Sequence, residues 1–296
     1  MAAYELIDFG EGRKLEALGR YWIDRPAPAA VHAPKQQPAL WSRASARYDG
    51  RVGLGGGSWT FRKPWPAGLT IEGLGFQLPA QPSPMGHIGI FPEQRPHWQW
   101  LQAAVRKHGG RCRGLNLFAY TGGATLAMAA AGAAVAHVDA ARPNVAQAFQ
   151  AATESGLQNQ PIRFLVDDAV KFVRRELRRG NRYEIICLDP PAYGHGPQGH
   201  AWRLMRDLWP LLDNTLQLLL PSGHLLLTGH SRQPSIDDIR SWLLRHRGWE
   251  HLQAGRSQLQ DRAGRILNAG HFLCGRTGPE SPGNAAANSS INGSEG

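Results

Sequence analysis

Cysteine is scarce in this 296-residue chain: Cys112, Cys187 and Cys274 are the only three, and no two form a Cys-x-x-Cys pair. That excludes a disulfide scaffold. The 12 histidines are scattered; His195 and His200 lie close together but have no matching cluster of ligands, so no metal site is expected. Long apolar runs are also missing. The stretches 115–138 and 216–227 are broken by Gly, Pro or polar residues, which argues against a membrane-spanning helix. The N-terminus lacks the basic-then-apolar pattern of a secretory signal, because Glu5 and Asp8 interrupt it, and a cytoplasmic protein is expected. Acidic residues are in short supply, with 23 Asp and Glu against 33 Lys and Arg and a net charge of +10, and most of the excess falls within residues 101–277. Such a surface suits a polyanion, nucleic acid above all, although an arginine-rich surface that only aids solubility gives the same count.

What is present is enough apolar material for a core, 42% of residues, in a length that suits one catalytic domain with a smaller addition. Residues 1–84 read as a β-rich segment of short strands between Gly- and Pro-rich turns, and 79–84 as a linker. Its tryptophans, Trp22, Trp41, Trp59 and Trp65, suit either base stacking or the core of a small β unit. Residues 85–277 alternate strands (114–118, 134–138, 162–166, 183–188, 224–228) with helices (97–107, 123–131, 143–154, 169–179, 203–220, 236–246), and 221–223 reads as a turn. This implies an α/β fold, a mostly parallel sheet with helices on both faces and ligands at the C-terminal strand ends. Two last strands, 249–253 and 270–274, have no helix between them and suit an antiparallel hairpin at the sheet edge. Residues 278–296, rich in Gly, Ser, Asn and Ala, read as a disordered tail.

The first strand of this series leads into Asn116-Leu117-Phe118-Ala119-Tyr120-Thr121-Gly122-Gly123 and then a helix of small residues. Glycine lets backbone approach a ligand, and a helix N-terminus suits a carboxylate such as that of a bound amino acid. The second strand ends at Asp139, where a carboxylate can accept both hydroxyls of a ribose, and the third at Asp167-Asp168, where one can accept an adenine amino group. Each piece alone is an ordinary turn or cap; their order is what points to a nucleoside cofactor. The Gly-x-Gly-x-x-Gly dinucleotide fingerprint is absent, which weakens a nicotinamide reading. The fourth strand ends in Asp189-Pro190-Pro191-Ala192-Tyr193, a rigid turn. Asp189 and the Pro190 carbonyl can accept hydrogen bonds from an amine, and Tyr193 can stack on a flat base.

These runs, with Ile88-Gly89-Ile90-Phe91-Pro92-Glu93-Gln94-Arg95, resemble the large-subunit ribosomal RNA methyltransferase group among the class I S-adenosylmethionine-dependent methyltransferases, over roughly residues 85–275. The resemblance implies a Rossmann-like sheet, S-adenosylmethionine as cofactor and RNA as partner. It implies that Gln94 and Arg95 close over the cofactor and that Tyr120, Thr121, Gly122 and Gly123 line its methionine part. Asp139 would hold the ribose, Asp168 or Asp167 the adenine, and Asp189, Pro190, Pro191 and Tyr193 the acceptor. Group members that methylate carbon 5 of cytosine use a cysteine after the fifth strand. Here that loop reads Thr228-Gly229-His230-Ser231, so transfer to a heteroatom, nitrogen above all, is expected. The compact RNA-binding module that often precedes the catalytic domain in that group is not recognisable. A methyltransferase for a small molecule or protein, and a non-catalytic cofactor- or RNA-binding protein, are the competing readings. The basic helix with Lys171, Arg174, Arg175, Arg178 and Arg179 suits either a phosphate grip or a solvated face.

Overall fold

The computed structural model describes residues 2–51, 55–195 and 201–279, so His200 and the segment from residue 280 onward lie outside the described residues. The N-terminal segment is a five-stranded sheet: β1 (Tyr4–Gly10), β2 (Arg13–Leu18), β3 (Tyr21–Pro26), β4 (Ala46–Arg51) and β5 (Gly55–Phe61) lie side by side in chain order. Only β3 and β4 run parallel. A small hairpin, β6 (Thr70–Glu72) and β7 (Gln77–Pro79), follows, then α1 (Arg95–Lys107).

From there the α/β alternation runs as expected: β8 (Arg113–Leu117), α2 (Gly123–Ala130), β9 (Ala134–Asp139), α3 (Arg142–Glu154), β10 (Ile162–Val166), α4 (Ala169–Arg178) and β11 (Tyr183–Leu188). After a short hairpin of β12 (Tyr193–His195) and β13 (Ala201–Arg203) come α5 (Leu204–Leu218), β14 (Leu219–Gly229), α6 (Ile236–His246), β15 (Trp249–Gln260) and β16 (Ile266–Thr277). The seven-stranded sheet has the order β10-β9-β8-β11-β14-β16-β15. All its pairs are parallel except those made by β16. The order reverses between β8 and β11, which fixes the crevice where ligands bind in sheets of this kind. The central strands β8 and β11 are mostly apolar because helices cover both faces, and Leu115, Leu117, Ile185, Ile186 and Leu188 are fully buried.

Three sequence expectations change. Residues 79–84 are no free linker: Pro79 closes β7, Ala80 is buried, and Gln81 N–H donates to the Ile88 carbonyl (3.0 Å). Residues 221–223 do not end one element and begin another; they lie inside β14, with Ser222 taking a positive φ of 56°. The last hairpin is far longer than two short strands. Its polar tip breaks the alternation that a sequence reading follows, yet it continues outward until Asp261 bridges Leu6 of β1.

That long hairpin clamps the N-terminal sheet. Arg265 at its tip pairs with the buried Asp8 and donates to the carbonyls of Phe9 (3.0 Å) and Pro34 (2.9 Å). Leu6 and Phe9 pack with Leu259 and Leu267 beside it. A second cluster runs from Leu18, Tyr21 and Ile23 through Phe76 and Leu78 to Trp98, Leu126 and Ala151, so the small sheet and the large one share a core. The tryptophans serve this packing. The indole N–H groups of Trp41, Trp59 and Trp65 donate to Asp8, the Ser83 carbonyl and the Ala80 carbonyl, which accounts for them as core and tethers.

Facing the large domain, Glu16 on β2 is fully buried. It accepts two hydrogen bonds from Arg25 (2.7 and 2.8 Å), one from Tyr4 (3.0 Å) and an ion pair from Lys14 (2.9 Å). Burial alone would raise its pKa, but Arg25 and Lys14 overcome that and hold it at about 2, below the ordinary 4.5. A carboxyl lowered on folding adds stability that is complete above its unfolded value and is lost as pH falls through the folded one. Denaturation midpoints of the wild type are therefore expected to fall as pH drops from about 4.5 to about 2. Glu16→Gln, which leaves Arg25 buried without its charge partner, is expected to lower stability at pH 7 by about 3–5 kcal/mol and to flatten that acid limb. An unaltered acid limb in the variant would show that another carboxylate sets it.

Candidate cofactor and active site

The turn after β8 is built from unfavourable backbone. Phe118 (φ 55°), Tyr120 (φ 49°) and Gly122 (φ 91°) all lie in the left-handed region, and two of these carry side chains. Neighbouring strand ends hold the turn in place. Tyr120 N–H donates to Asp139 Oδ2 (2.8 Å), Ala119 N–H to the Val138 carbonyl (3.1 Å), and Thr121 Oγ1 to the Gly89 carbonyl (2.7 Å). The two glycines are needed for packing behind the turn. A Cβ on Gly122 would lie 3.0 Å from the Ala148 Cβ, and one on Gly123 would lie 2.7 Å from the Trp98 ring. Beneath the turn, Asn116 donates to Thr125 (2.9 Å), which meets His137 Nδ1 at 3.0 Å. Burial pushes His137 down to about 3, so it is neutral at pH 7, and its Nε2 is a buried atom without a partner among the described residues.

Asp139 ends β9 and gathers donors from both sides: Tyr120 N–H, Ala141 N–H (2.9 Å) and Asn144 Nδ2 (3.0 Å). Burial raises its pKa, offset in part by these bonds. At the end of β10, Asp167 pairs with Arg175 and accepts the Asp168 N–H, whereas Asp168 caps α4 by accepting Lys171 N–H (3.0 Å). Asp189 follows β11, half-buried, with its N–H on the Leu117 carbonyl (3.4 Å). Pro190 is buried, and the Pro191 carbonyl accepts the Trp202 indole N–H (2.7 Å). That ring packs on Phe118 at 4.9 Å and so braces the proline turn against the β8 turn. Tyr193 opens β12 with its ring exposed.

The strand ends thus bring together Tyr120, Thr121, Gly122, Gly123, Asp139, Asp167, Asp168 and Asp189. Gln94 lies half-buried at the start of α1. The guanidinium of Arg95 is not part of the group: it donates to the carbonyls of Gly73 (3.2 Å) and Glu72 (3.4 Å), beside the β6–β7 hairpin.

Other groups at the site carry no role in the motif reading. Phe91 packs edge-on to Tyr120 (5.4 Å) and lies 6.2 Å from His230, the exposed residue after β14. His87 meets both Phe91 (5.5 Å) and Tyr120 (6.2 Å); burial, then the charges of Arg25, His230 and Lys14, push it down to about 4. Glu93 is fully buried and raised by burial, while Lys14 and His230 favour its charge. Burial lowers His271, with His230 acting in the same direction and Asp189 against it. One field therefore links Asp189, His271, His230, Glu93, Lys14 and Arg25. Phe91 and Glu93 sit within a quoted motif, but Lys14 and Arg25 arrive from the small sheet by docking, and no spacing in the sequence announces that.

A switch-point crevice between β8 and β11, a strained turn at its floor and acids on successive strand ends define an α/β enzyme for a nucleoside-bearing cofactor. The chain belongs to the S-adenosylmethionine-dependent methyltransferase family, which matches residues 64–244. A SAM-dependent methyltransferase of known structure from Agrobacterium tumefaciens is 34% identical, covers 93% of this chain and 91% of its own, and superposes with a TM-score of 0.86. The "Ribosomal RNA large subunit methyltransferase K/L" of Hahella chejuensis is 30% identical over 170 residues, 57% of this chain but 23% of that protein. The "Ribosomal RNA large subunit methyltransferase I" of Aeromonas salmonicida is 33% identical over 145 residues, 48% of this chain and 35% of that protein. This chain therefore spans about a quarter to a third of the length of these curated relatives.

The enzyme uses S-adenosylmethionine, and the donors and acceptors present fit it: carboxylates at the ends of β9 and β10 suit ribose hydroxyls and an adenine amine, and the N-terminus of α2 suits a carboxylate. Asp139→Ala is expected to weaken S-adenosylmethionine binding by about 10- to 100-fold, the loss of hydrogen bonds to a charged group, with Asp139→Asn intermediate. Calorimetry checks this; wild-type affinity in Asp139→Ala would remove that residue from the site. Gly122→Ala, forced to a φ of 91° with its methyl against Ala148, is expected to lose at least about 1 kcal/mol of stability in urea denaturation.

Proposed function

We propose that this methyltransferase acts on a base in RNA and transfers the methyl group to a nitrogen, with ribosomal RNA the favoured substrate. The observation that carries this reading is the turn at residues 189–193, held at the end of β11 against the β8 turn by Trp202. Two similar proteins act on large-subunit ribosomal RNA by their names, and the net charge of +10 suits a polyanion. When bound, S-adenosylmethionine supplies an electrophilic methyl group on a sulfonium. The chain's part is placement. Asp189 and the Pro190 carbonyl accept the two N–H bonds of an exocyclic amine and turn its lone pair toward the methyl, while Tyr193 stacks on the ring plane. Gln94, Tyr120, Thr121, Gly122, Gly123, Asp139 and Asp168 (with Asp167) hold the cofactor; Arg95 contributes by fixing the start of α1 to the β6–β7 hairpin. In this reading residues 85–277 are the catalytic unit and residues 1–84 hold the acceptor.

Nitrogen is favoured over carbon 5 of cytosine because no thiol is ready to attack. All three cysteines are buried; burial pushes Cys112 and Cys274 up to about 11 and Cys187 well above the ordinary range. Carbon 5 needs a thiolate to activate the ring, whereas an amine nitrogen carries its own lone pair.

The test is transfer of labelled methyl from S-adenosylmethionine to total RNA, with nucleoside analysis of the product. Wild type is expected to label RNA, and Asp189→Ala to lose about 100-fold or more in rate while S-adenosylmethionine affinity changes little. Replacing all three cysteines with alanine is expected to leave the rate per folded molecule within a few-fold. Loss of labelling in the cysteine-free enzyme would restore the carbon-5 route, and labelling of small molecules or protein in place of RNA would overturn the substrate.

A further inference from the structure

The outward side of the small sheet holds a cavity of about 350 Å³ that no part of the methyl-transfer scheme uses. Arg20, Arg43, Arg62 and Lys63 line it, together with Trp22 and Ser45, and no carboxylate is among its lining residues. None of these four cations is ion-paired within the described residues. All four are solvent-exposed, and with no carboxylate to offset them they gather positive potential in one open concavity.

Side-chain contacts hold the charged groups of Arg43 and Arg62, and the backbone around Arg20 and Lys63 is fixed. Arg20 sits on the β2–β3 turn, where Gly19 takes a φ of 61°. The Arg43 guanidinium lies 4.3 Å from the Trp22 ring centroid. Arg62 donates to the Ser42 carbonyl (2.7 Å), and the backbone N–H groups of Arg62 and Lys63 both bond the Ser45 carbonyl (2.8 and 3.1 Å). Tyr21 holds the Lys63 carbonyl (2.7 Å). Three guanidinium forks and an ammonium set in one concavity match a phosphate better than a carboxylate, because each fork can take two oxygens of a tetrahedral anion.

We propose that this cavity binds backbone phosphate of the RNA acceptor outside the nucleotide being methylated, which makes the small β-sheet the RNA-gripping module of the enzyme. The proposal rests on the RNA reading above. The experiment measures wild type, Arg20→Gln/Lys63→Gln and a control, Arg240→Gln/Arg245→Gln, which removes the same charge from exposed positions on α6. Fluorescence anisotropy with a labelled fragment of ribosomal RNA at several KCl concentrations gives affinity and salt slope, calorimetry gives S-adenosylmethionine affinity, and labelled-methyl transfer gives KM and kcat.

The cavity variant is expected to bind RNA about tenfold more weakly, with a salt slope smaller by about 1.4–1.8. Its KM for RNA is expected to rise with kcat and S-adenosylmethionine affinity unchanged, and the control to stay near wild type. Wild-type affinity and slope in the cavity variant, while wild type still methylates RNA, would overturn the cavity alone. An equal loss in the control would also overturn it, by showing that total charge and not this cavity sets affinity. If wild type neither binds nor methylates RNA, the cavity proposal and the RNA reading fall together. If the cavity variant loses affinity for polyglutamate but not for RNA, the cavity serves an acidic protein and the proposal is overturned.

Discussion

The site depends on one carboxylate. Asp139 accepts the N–H of Tyr120 from the β8 turn and that of Ala141 from the start of α3. Without that pair of bonds, nothing in the local sequence favours left-handed backbone at both Phe118 and Tyr120. The strain is of the order of 1–3 kcal/mol per residue, and charge-assisted hydrogen bonds are of the same size. The turn is therefore set by the end of a neighbouring strand and not by its own residues. The same carboxylate stands at the strand end where the proposed reading puts the ribose hydroxyls, so in that reading one side chain serves both the shape of the floor and the cofactor.

A second dependence runs between the sheets. The small sheet lays a buried charged face on the large domain, with Glu16 and Arg25 fully enclosed and Arg25 donating to the Gly86 carbonyl (3.1 Å) at the start of the motif that carries Phe91 and Glu93. A buried pair of this kind is a weak source of net stability compared with apolar packing, because both ions lose their water. It is a strict source of alignment, since any slip leaves a charge unpaired. Together with the Arg265–Asp8 clamp from the β15–β16 hairpin, it ties the small sheet's position to that of the catalytic strands.

Much of this was legible in the sequence, and the rest was hidden for identifiable reasons. The α/β alternation was readable because buried parallel strands are short apolar runs between amphipathic helices, and β10, β11 and α6 fall where the periodicity places them. Asp139, Asp168 and Asp189 were readable as strand-end acids because each closes or follows a short apolar run. β2 and β4 are not announced by apolar periodicity because their alternate residues are charged; Arg13, Lys14 and Glu16 are partnered inside the same sheet, by Asp24 and Arg25 of β3 and by one another. The long β15–β16 hairpin was cut short for the same reason: its outer half faces the small sheet with polar and mixed residues. The glycine pair was assigned to ligand approach, although the nearest atoms to its missing side chains belong to Ala148 and Trp98.

The division between the sheets bears on where acceptor choice resides. The family match begins at residue 64, so the five-stranded sheet lies outside it, while the cofactor turn, the acids at strand ends and the turn at residues 189–193 lie within it. Machinery that binds one cofactor and presents one methyl group needs the same geometry whatever receives it. On the proposed reading the turn at residues 189–193 receives the reacting base, and the rest of the acceptor is left to groups outside the shared machinery. Lys14 and Arg25 reach from the small sheet into the field around Glu93 and His87, and Arg20, Arg43, Arg62 and Lys63 face outward from the same sheet. One side of the sheet therefore faces the large domain with buried charge, and the other presents positive charge to solvent. A flexible tether would separate those two functions. A sheet locked by a shared core and by the Arg265–Asp8 clamp joins them, so on the proposed reading an acceptor gripped by the small sheet is held in a fixed orientation to the catalytic strands.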